Sequence, residues 1–255
     1  MPRLDEDRWR GYLSAFHGEH PGITERLFDH LDASPYGWLV EALAEETGVI
    51  LDLACGSAPT RAHLPRHRWG GMDTSRAELA AAAAAARGPL VRAQAGALPL
   101  PDASVDAVCA AMCLQVLTPL AGALAEIIRV LRPGATLAAL VPARLGPSPT
   151  GWLAWLRVLT ALGVLDPPWP NPEARDDLPR VLSEHGLTIR ADERRTFNLR
   201  LDTPVRATLL VDSLYLPNTD PDRVGRAKQV LARWARPGRR LPLPLRRVIA
   251  HRPEQ

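Results

Sequence analysis

The sequence predicts an α/β fold in which helices cover both faces of a doubly wound, mostly parallel sheet. An apolar run that leads into Asp52 within the stretch 49–59, and further runs at 105–112 and 136–141, predict buried strands. Helical patterns separate the runs, and such alternation is typical of parallel strands joined by crossover helices. A turn of small residues centred on Gly56 follows the first run and lets backbone N–H groups approach a polar ligand closely.

The length and charge of the chain allow one large domain and do not by themselves indicate a polyanionic partner. The chain has 255 residues and a net charge of +3, although its pI is near 9.0. Of its 31 basic residues only Lys228 is a lysine. A small net charge over this length is typical of a solvated, arginine-rich surface, so the pI argues little for nucleic acid.

Three cysteines, Cys55, Cys109 and Cys113, lie in apolar or turn contexts without metal-ligand spacing. An odd, sparse set favours a reducing compartment over a disulfide framework, and we expect no metal site. No basic segment followed by an apolar one opens the chain. The most apolar stretch, 151–165, is interrupted by Arg157 and is too short to span a bilayer. We therefore predict a cytoplasmic protein without a membrane span.

The segment before the first strand predicts helices with an aromatic face. Trp9, Tyr12 and Phe16 recur at helical spacing on a charged background. The predicted helices lie within 1–20, 23–31 and 37–46. Two interpretations stay open: a helical layer packed on a sheet edge, or a lid whose aromatic face closes over a ligand.

A second acid, Asp73, ends the next predicted strand, 69–73. At that position a carboxylate can accept hydrogen bonds from both hydroxyls of a ribose. A helix over 76–87 follows, with Ser75 as its N-cap and Glu78 three residues further on, which is the pattern of a capping box.

From residue 142 onward, prolines become frequent and bracket one apolar helix, 152–165. Such a helix after the fifth strand indicates a cap rather than another layer on the sheet. The segment 188–201 alternates loosely, as an edge strand does. The last strand, 246–251, is expected to have prolines only at its ends, because proline lacks an N–H group. The other predicted elements are a helix near 60, strand 90–91 and helices over 120–131, 178–185, 203–215 and 221–235.

Four blocks of residues resemble the class I S-adenosylmethionine-dependent methyltransferases. They are the turn Leu51-Asp-Leu-Ala-Cys-Gly-Ser, the acid Asp73, the stretch Ala97-Leu-Pro-Leu-Pro-Asp-Ala-Ser-Val-Asp, and Ala123-Leu-Ala-Glu-Ile-Ile-Arg-Val-Leu-Arg-Pro-Gly. The resemblance implies a Rossmann-like sheet of seven strands whose last strand is antiparallel. It also implies one methyltransferase domain over 1–255, with S-adenosylmethionine as cofactor. We divide that domain into an N-terminal helical lid (1–46), a cofactor-binding core (47–142), a helical cap insertion (143–185) and C-terminal strands and helices (186–255).

The resemblance also implies roles for single residues. The amino-acid end of the cofactor is expected to lie against Asp52, Ala54, Cys55, Gly56 and Ser57. The ribose and adenine are expected to lie against Asp73, Thr74, Gln94 and Leu98, and the channel to the methyl group against Met112.

Three departures from the family's pattern accompany these roles. Ala54 and Ala58 replace glycines, so the turn is expected to avoid positive φ there. Gln94 replaces an acid that accepts a hydrogen bond from the adenine amino group. Its amide oxygen can accept the same hydrogen bond, but it carries no negative charge to strengthen it. Leu114, Gln115 and Val116 replace a segment that often carries a histidine, so a catalytic base must come from elsewhere.

The expected reaction is methyl transfer to the O, N or C atom of a small, largely apolar metabolite by in-line positioning, as in secondary metabolism. Isoprenoids, polyketides and aromatic compounds are the acceptors considered. Candidate bases are Tyr12, His17 and His20, and candidate acceptor contacts are Tyr12, Phe16, His17, Trp152 and Trp155.

Three alternatives remain open. One is an RNA or protein methyltransferase that uses the arginine-rich segment 233–247, although no nucleic-acid module accompanies that segment and a nucleic-acid partner is not expected. Another is a cofactor-binding protein without methyl transfer. The third is a plain dinucleotide-binding module, which would need three glycines in the first turn, where this chain has only Gly56. The sequence leaves the oligomeric state undetermined.

Overall fold

The computed structural model describes residues 4–146, 148–164 and 166–254, and within them seven strands form one sheet. In chain order the strands are β1 (Val49–Leu53), β2 (Arg68–Asp73), β3 (Leu90–Arg92), β4 (Val105–Ala111), β5 (Leu131–Pro142), β6 (Thr188–Arg200) and β7 (Arg240–His251).

The described helices surround this sheet. They are α1 (Glu6–Glu19), α2 (Ile23–Phe28), α3 (Pro35–Val40), α4 (Arg76–Ala84), α5 (Leu120–Val130), α6 (Pro149–Leu162), α7 (Pro172–Glu184), α8 (Pro204–Asp212) and α9 (Pro221–Trp234). Short 3₁₀ helices occupy Glu41–Leu43 and Pro59–His63.

The strand order is β3-β2-β1-β4-β5-β7-β6. Neighbouring strands are parallel from β3 to β5, whereas β7 is antiparallel to both β5 and β6. The predicted fold class is therefore confirmed, including the antiparallel last strand and the edge position of β6.

The two faces of the sheet are covered by two apolar layers. In β1, Ile50 packs into one layer and Leu51 and Leu53 into the other. This division follows from the alternation of side chains along a strand, and it explains why β1 is apolar on both faces. Helix α5 buries Leu124 and Ile127 against the second layer, as its spacing predicted.

Several predicted helices end earlier than expected. The helix over 120–131 ends at Val130, because Leu131 is already the first residue of β5. The alanine-rich helix ends at Ala84 instead of residue 87, and the segment 37–46 divides into α3 and a 3₁₀ turn. A helix also begins earlier than predicted: α7 starts at Pro172 and is kinked at Asp177, whose φ is −153°.

Prolines lie inside β7, so the prediction that they occur only at its ends is wrong. Pro242 and Pro244 both pair with β6. Strand β5 pairs with β7 only from Leu245 onward. The prolines therefore occupy a part of β7 that has a strand partner on one side alone, where a missing N–H group is tolerated.

Helix α6 packs on β7 and α9. Val158 and Leu162 are buried, and the Trp155 indole Nε1 donates to the carbonyl oxygen of Pro242 at 2.6 Å. The helix was predicted over 152–165 between prolines that include Pro147. Both Pro147 and Leu165 lie outside the described residues.

Candidate functional site

A cavity of about 530 Å³ opens at the carboxyl ends of β1, β2 and β4. Its walls come from the loops that follow these strands, from the loop after β3, from α1, and from Tyr215 in the connection between α8 and α9. Parallel strands bring their following loops to one edge of the sheet, which is where ligands bind in open α/β folds.

The turn after β1 adopts positive φ at three positions. The φ angles are 50° at Ala54, 55° at Gly56 and 57° at Ala58. The expectation that the two alanines avoid this conformation is wrong. A left-handed alanine costs about 1–2 kcal/mol. The turn is held by hydrogen bonds from Cys55 N to Met72 O (3.0 Å) and from Ala58 N to Cys55 O (2.8 Å).

Asp73 connects this turn to the next strand. Its Oδ2 accepts from Gly56 N and its Oδ1 from Ser75 N, both at 2.8 Å. Burial raises the pKa of Asp73, and the two N–H donors oppose that rise only in part. The carboxylate therefore lies in the cavity wall with lone pairs left for a further donor.

Asp52 is a buried acid with an incomplete set of partners. It is 1% exposed, and its Oδ2 accepts from the Thr60 hydroxyl. Its Oδ1 finds no hydrogen-bond partner among the described residues. Loss of solvation raises the pKa of Asp52 to about 7, and the Thr60 donor opposes that rise. A carboxylate in this state favours a ligand that brings a cation or a hydrogen-bond donor.

Glu78 connects α4 to the N-terminal helices. Ser75 caps α4 as predicted, since Glu78 N donates to its Oγ at 3.3 Å. The Glu78 carboxylate does not complete a capping box. Its Oε2 accepts from Gly22 N at 2.8 Å, and its Oε1 lies 2.8 Å from His17 Nδ1.

His17 extends these contacts to a third side chain. Its Nε2 lies 3.0 Å from the Tyr215 hydroxyl. Glu78, His17 and Tyr215 thus form a continuous hydrogen-bonded chain, the Glu78–His17–Tyr215 chain, and all three residues line the cavity. Burial raises the pKa of Tyr215, so its phenol stays protonated.

The sequence did not indicate this chain. Glu78 was interpreted as a cap, and Tyr215 as the end of a helix. Tyr215 is separated from His17 by 198 positions. No local pattern relates residues that far apart, so only the packing of α1 against the α8–α9 connection reveals the contact.

A second cluster fastens α2 to the turn after β1. The Ser57 hydroxyl donates to Glu25 Oε2 at 2.6 Å, and the Arg87 guanidinium donates to both Glu25 oxygens. At the other end of the N-terminal segment, Trp9 is buried and donates to the carbonyl oxygen of Val116 at 2.8 Å. The N-terminal helices are therefore bound to both sides of the cavity.

The structure brings together most of the residues expected at the cofactor. The lining residues include Asp52, Ala54, Cys55, Gly56, Ser57, Asp73, Thr74, Gln94 and Met112. Leu98 is buried but is not among the lining residues.

The other candidates divide into one that reaches the cavity and several that do not. His17 lines it. Tyr12, Phe16 and His20 do not line it, and Phe16 instead packs against the rings of His17 and Tyr215. Trp152 and Trp155 are also absent from the lining, and Trp152 is 60% exposed.

The described residues contain neither a membrane-crossing helix nor a cluster of metal ligands. No helix among them combines the length and apolarity that crossing a bilayer requires. Within the same residues, no three His, Cys, Asp or Glu side chains are grouped so that they could hold a metal ion. The three cysteine thiols are free.

Comparison with known protein families gives one match, which lies within the parallel part of the sheet. Residues 51–139 match the family described as a methyltransferase domain. No curated protein matches the sequence.

The fold is similar to that of solved structures at low identity. The YcgJ protein from Bacillus subtilis is 18% identical, with a TM-score of 0.58 over 86% of this chain and 99% of that one. A structure described as S-adenosylmethionine-dependent methyltransferases, from Methanosarcina mazei, is 18% identical, with a TM-score of 0.53 over 88% and 100%. The [4+2]-cyclase SpnF is 19% identical, with a TM-score of 0.56 over 86% and 80%. These likenesses concern the fold. The family match itself covers residues 51–139 alone, about a third of the chain.

Proposed function

We propose that this chain is a class I S-adenosylmethionine-dependent methyltransferase and that it methylates a small and largely apolar acceptor. The observation that carries the proposal is that apolar side chains share one cavity with the turn after β1. They come from α1 and from the segment after β4, and they include Leu13, Cys113, Val116, Leu117 and Pro119. A cavity that places an apolar wall beside a polar end favours a small molecule over a polymer.

We assign the cofactor to the polar end of this cavity. Asp73 is suited to accept hydrogen bonds from the ribose hydroxyls. The unpartnered oxygen of Asp52 is suited to face a cationic or hydrogen-bond-donating group of the cofactor. Two buried acids with raised pKa values fit a ligand that carries ammonium and sulfonium groups. When bound, S-adenosylmethionine supplies an activated methyl group, so the protein has mainly to align the acceptor and exclude water.

We assign the general base to the Glu78–His17–Tyr215 chain. With the Nδ1 proton donated to Glu78, the Nε2 lone pair of His17 accepts from the Tyr215 hydroxyl. The Tyr215 oxygen can then take a proton from an acceptor hydroxyl while its own proton passes to His17. The Glu78 carboxylate stabilises the imidazolium that results. Of the three bases considered from the sequence, His17 alone lines the cavity.

Two arginines of the segment 233–247 do not support the alternative of an RNA or protein acceptor. Arg246 is buried and its guanidinium binds both oxygens of Asp192, at 2.5 and 2.6 Å. Arg247 binds Glu193. These two arginines stabilise the pairing of β7 with β6 and offer little charge to a polymer.

A methyl-transfer assay with labelled S-adenosylmethionine tests the proposal. We expect transfer to members of a panel of phenols, isoprenoid alcohols and polyketide fragments, and none to bulk RNA or denatured protein. Tyr215→Phe removes the hydroxyl and keeps the ring, and should lower kcat by about 10²–10⁴ with an unchanged cofactor Kd. Tyr12→Phe is the matched control, because the Tyr12 hydroxyl accepts from Leu216 N and does not line the cavity.

Each contrary result has a distinct meaning. Equal rates for Tyr215→Phe and wild type would remove the base assignment but leave the acceptor class standing. Transfer to RNA or protein alone would overturn the acceptor class. Cofactor binding without transfer to any acceptor would leave a cofactor-binding protein.

A further inference from the structure

Helix α6 exposes large apolar side chains on its outer side. Trp152 is 60% exposed, Leu153 62% and Leu156 42%. The spacing of these three residues makes them neighbours on the helix surface. The inner side of the same helix buries Val158 and Leu162, so the exposed residues are not needed to hold α6 in place. A contiguous exposed apolar cluster of this kind marks an interaction surface.

Helix α9 lies beside α6 and extends this surface. The Arg157 guanidinium lies 5.7 Å from the centre of the Trp234 ring, and near the other end of α6 the Arg223 side chain lies against Gly163. The outer side of α9 adds Val230, which is 43% exposed. We call the exposed outer sides of the two helices, with residues 235–240, the α6–α9 face.

The α6–α9 face is strongly basic. Residues 149–162 and 221–240 contain eight basic residues and one acidic residue, Asp222, in a chain whose net charge is only +3. Lys228 forms an ion pair with Asp212. The exposed arginines of these segments are Arg157, Arg223, Arg226, Arg233, Arg236 and Arg240. Positive charge therefore predominates on the two helices and on the segment that follows them.

We propose that the α6–α9 face binds the surface of an anionic lipid bilayer. Tryptophan and leucine side chains enter the boundary between headgroups and acyl chains, where an indole finds both an apolar and a wet environment. Arginines around them bind lipid phosphates, which is the charge complement that this face requires. The proposal concerns a surface outside the cavity, and it does not depend on the acceptor or on the base.

Two other occupants agree less well with the residues. A second copy of the chain, docked face to face, would bring the arginines of both copies together, and like charges at an interface are unfavourable. Single-stranded RNA binds basic grooves in which aromatic rings stack on bases, whereas the most exposed residue of this cluster is Leu153. Protruding leucines favour a lipid phase.

Vesicle co-sedimentation with the full chain tests the proposal without cofactor or acceptor. One set of vesicles contains phosphatidylcholine alone, and the other contains phosphatidylcholine and phosphatidylglycerol in equal amounts. We expect binding to the second set only, with a shift of tryptophan fluorescence to shorter wavelength. The double variant Leu153→Ser/Leu156→Ser should weaken binding at least about tenfold, since each leucine loses its apolar contact.

The charge contribution is tested separately. Arg226→Gln/Arg233→Gln should weaken binding roughly 25-fold at low salt, because each basic residue near an anionic surface contributes about 1 kcal/mol. Matched controls lie near the opposite edge of the sheet, on β3 and around the start of β2. Val91→Ser removes an equally exposed apolar side chain on β3, and Arg66→Gln/Arg68→Gln removes two exposed arginines. Neither control should change binding.

Four outcomes would overturn the proposal. The first is that folded wild type does not bind anionic vesicles, and the second is that the leucine variant binds them as well as wild type does. The third is that the protein binds RNA through the arginines but does not bind vesicles. The fourth is that the chain dimerises without vesicles and that the leucine variant dissociates the dimer. All the substituted residues are exposed at the surface. A melting curve for each variant verifies that a loss of binding is not a loss of folding.

Discussion

The cavity and the α6–α9 face depart in opposite ways from the usual distribution of side chains. The cavity buries acids, with Asp52 1% and Glu78 3% exposed, whereas α6 exposes Trp152 and Leu153. Glu78 is fully engaged by His17 and Gly22, but Asp52 keeps an oxygen without a partner. Burying an oxygen of Asp52 without a partner costs stability in the isolated chain, and a ligand that donates to it would offset that cost. Glu78 therefore contributes to the fold itself, whereas the Asp52 oxygen that has no partner among the described residues is available to a ligand.

Asp52→Asn gives the sharpest test of the cavity half of this comparison. The pKa of Asp52 is about 7 in the folded chain, against 3.8 ordinarily. Between these values the native state holds a proton that the unfolded chain has released, so the free energy of unfolding falls as pH rises. Each pKa unit corresponds to about 1.36 kcal/mol, so ionised Asp52 lowers stability by up to about 4 kcal/mol above pH 7.

Urea unfolding of wild type and Asp52→Asn at pH 5 and pH 8 measures this effect. The variant should be more stable by about 1.6 kcal/mol at pH 5, and this difference should grow to about 4 kcal/mol at pH 8. The two proteins share every other titratable group, so the difference between them isolates Asp52. A constant difference across this range would show that Asp52 is already ionised and well solvated.

Asp73→Ala tests the acid whose two oxygens both accept hydrogen bonds from the protein. Loss of hydrogen bonds to a charged group should weaken binding of S-adenosylmethionine and of its demethylated product by about 1.5–3 kcal/mol. Titration calorimetry on wild type and variant measures both affinities. Asp102→Ala is the control, because Asp102 is an exposed acid outside the cavity. Unchanged affinity in a folded Asp73→Ala protein would remove Asp73 from the cofactor site.

Trp155→Ala and Trp152→Ala compare the two sides of α6. Trp155 packs against the core and donates to Pro242 O, so its loss should lower the free energy of unfolding by about 2 kcal/mol. Trp152 is mostly exposed, and its loss should change stability by less than about 0.5 kcal/mol. Cofactor affinity should be unchanged in both variants. A raised cofactor Kd for Trp155→Ala would connect α6 to the cavity after all.

Ala54→Gly tests the smallest effect, the strain of the turn after β1. Glycine adopts a φ of 50° without the Cβ clash, so the variant should be as stable as wild type or up to about 1 kcal/mol more stable. Ala54→Val, which adds a branched side chain at the same φ, should be clearly destabilised. Thermal unfolding of the three proteins decides this, and a destabilised glycine variant would mean that the alanine methyl group contributes more by packing than it costs in strain.

The sequence alone predicted the parts of this protein that depend on local periodicity. Alternating burial along β1 and the i, i+3, i+4 pattern of α5 follow from strand and helix geometry, whatever the rest of the chain does. Asp52 and Asp73 reach the same cavity because each lies in or at the end of a parallel strand. The order of the elements then made the resemblance to methyltransferases specific.

Other features were decided only when distant segments packed together. The left-handed alanines at 54 and 58 depend on hydrogen bonds to Met72 and within the turn, and the prolines inside β7 depend on where β5 stops pairing. Glu78 could cap its own helix or meet His17, and local sequence does not distinguish these outcomes because both satisfy the carboxylate. The packing of α1 across the cavity selects His17, and it brings Tyr215 to the same place from 198 positions away.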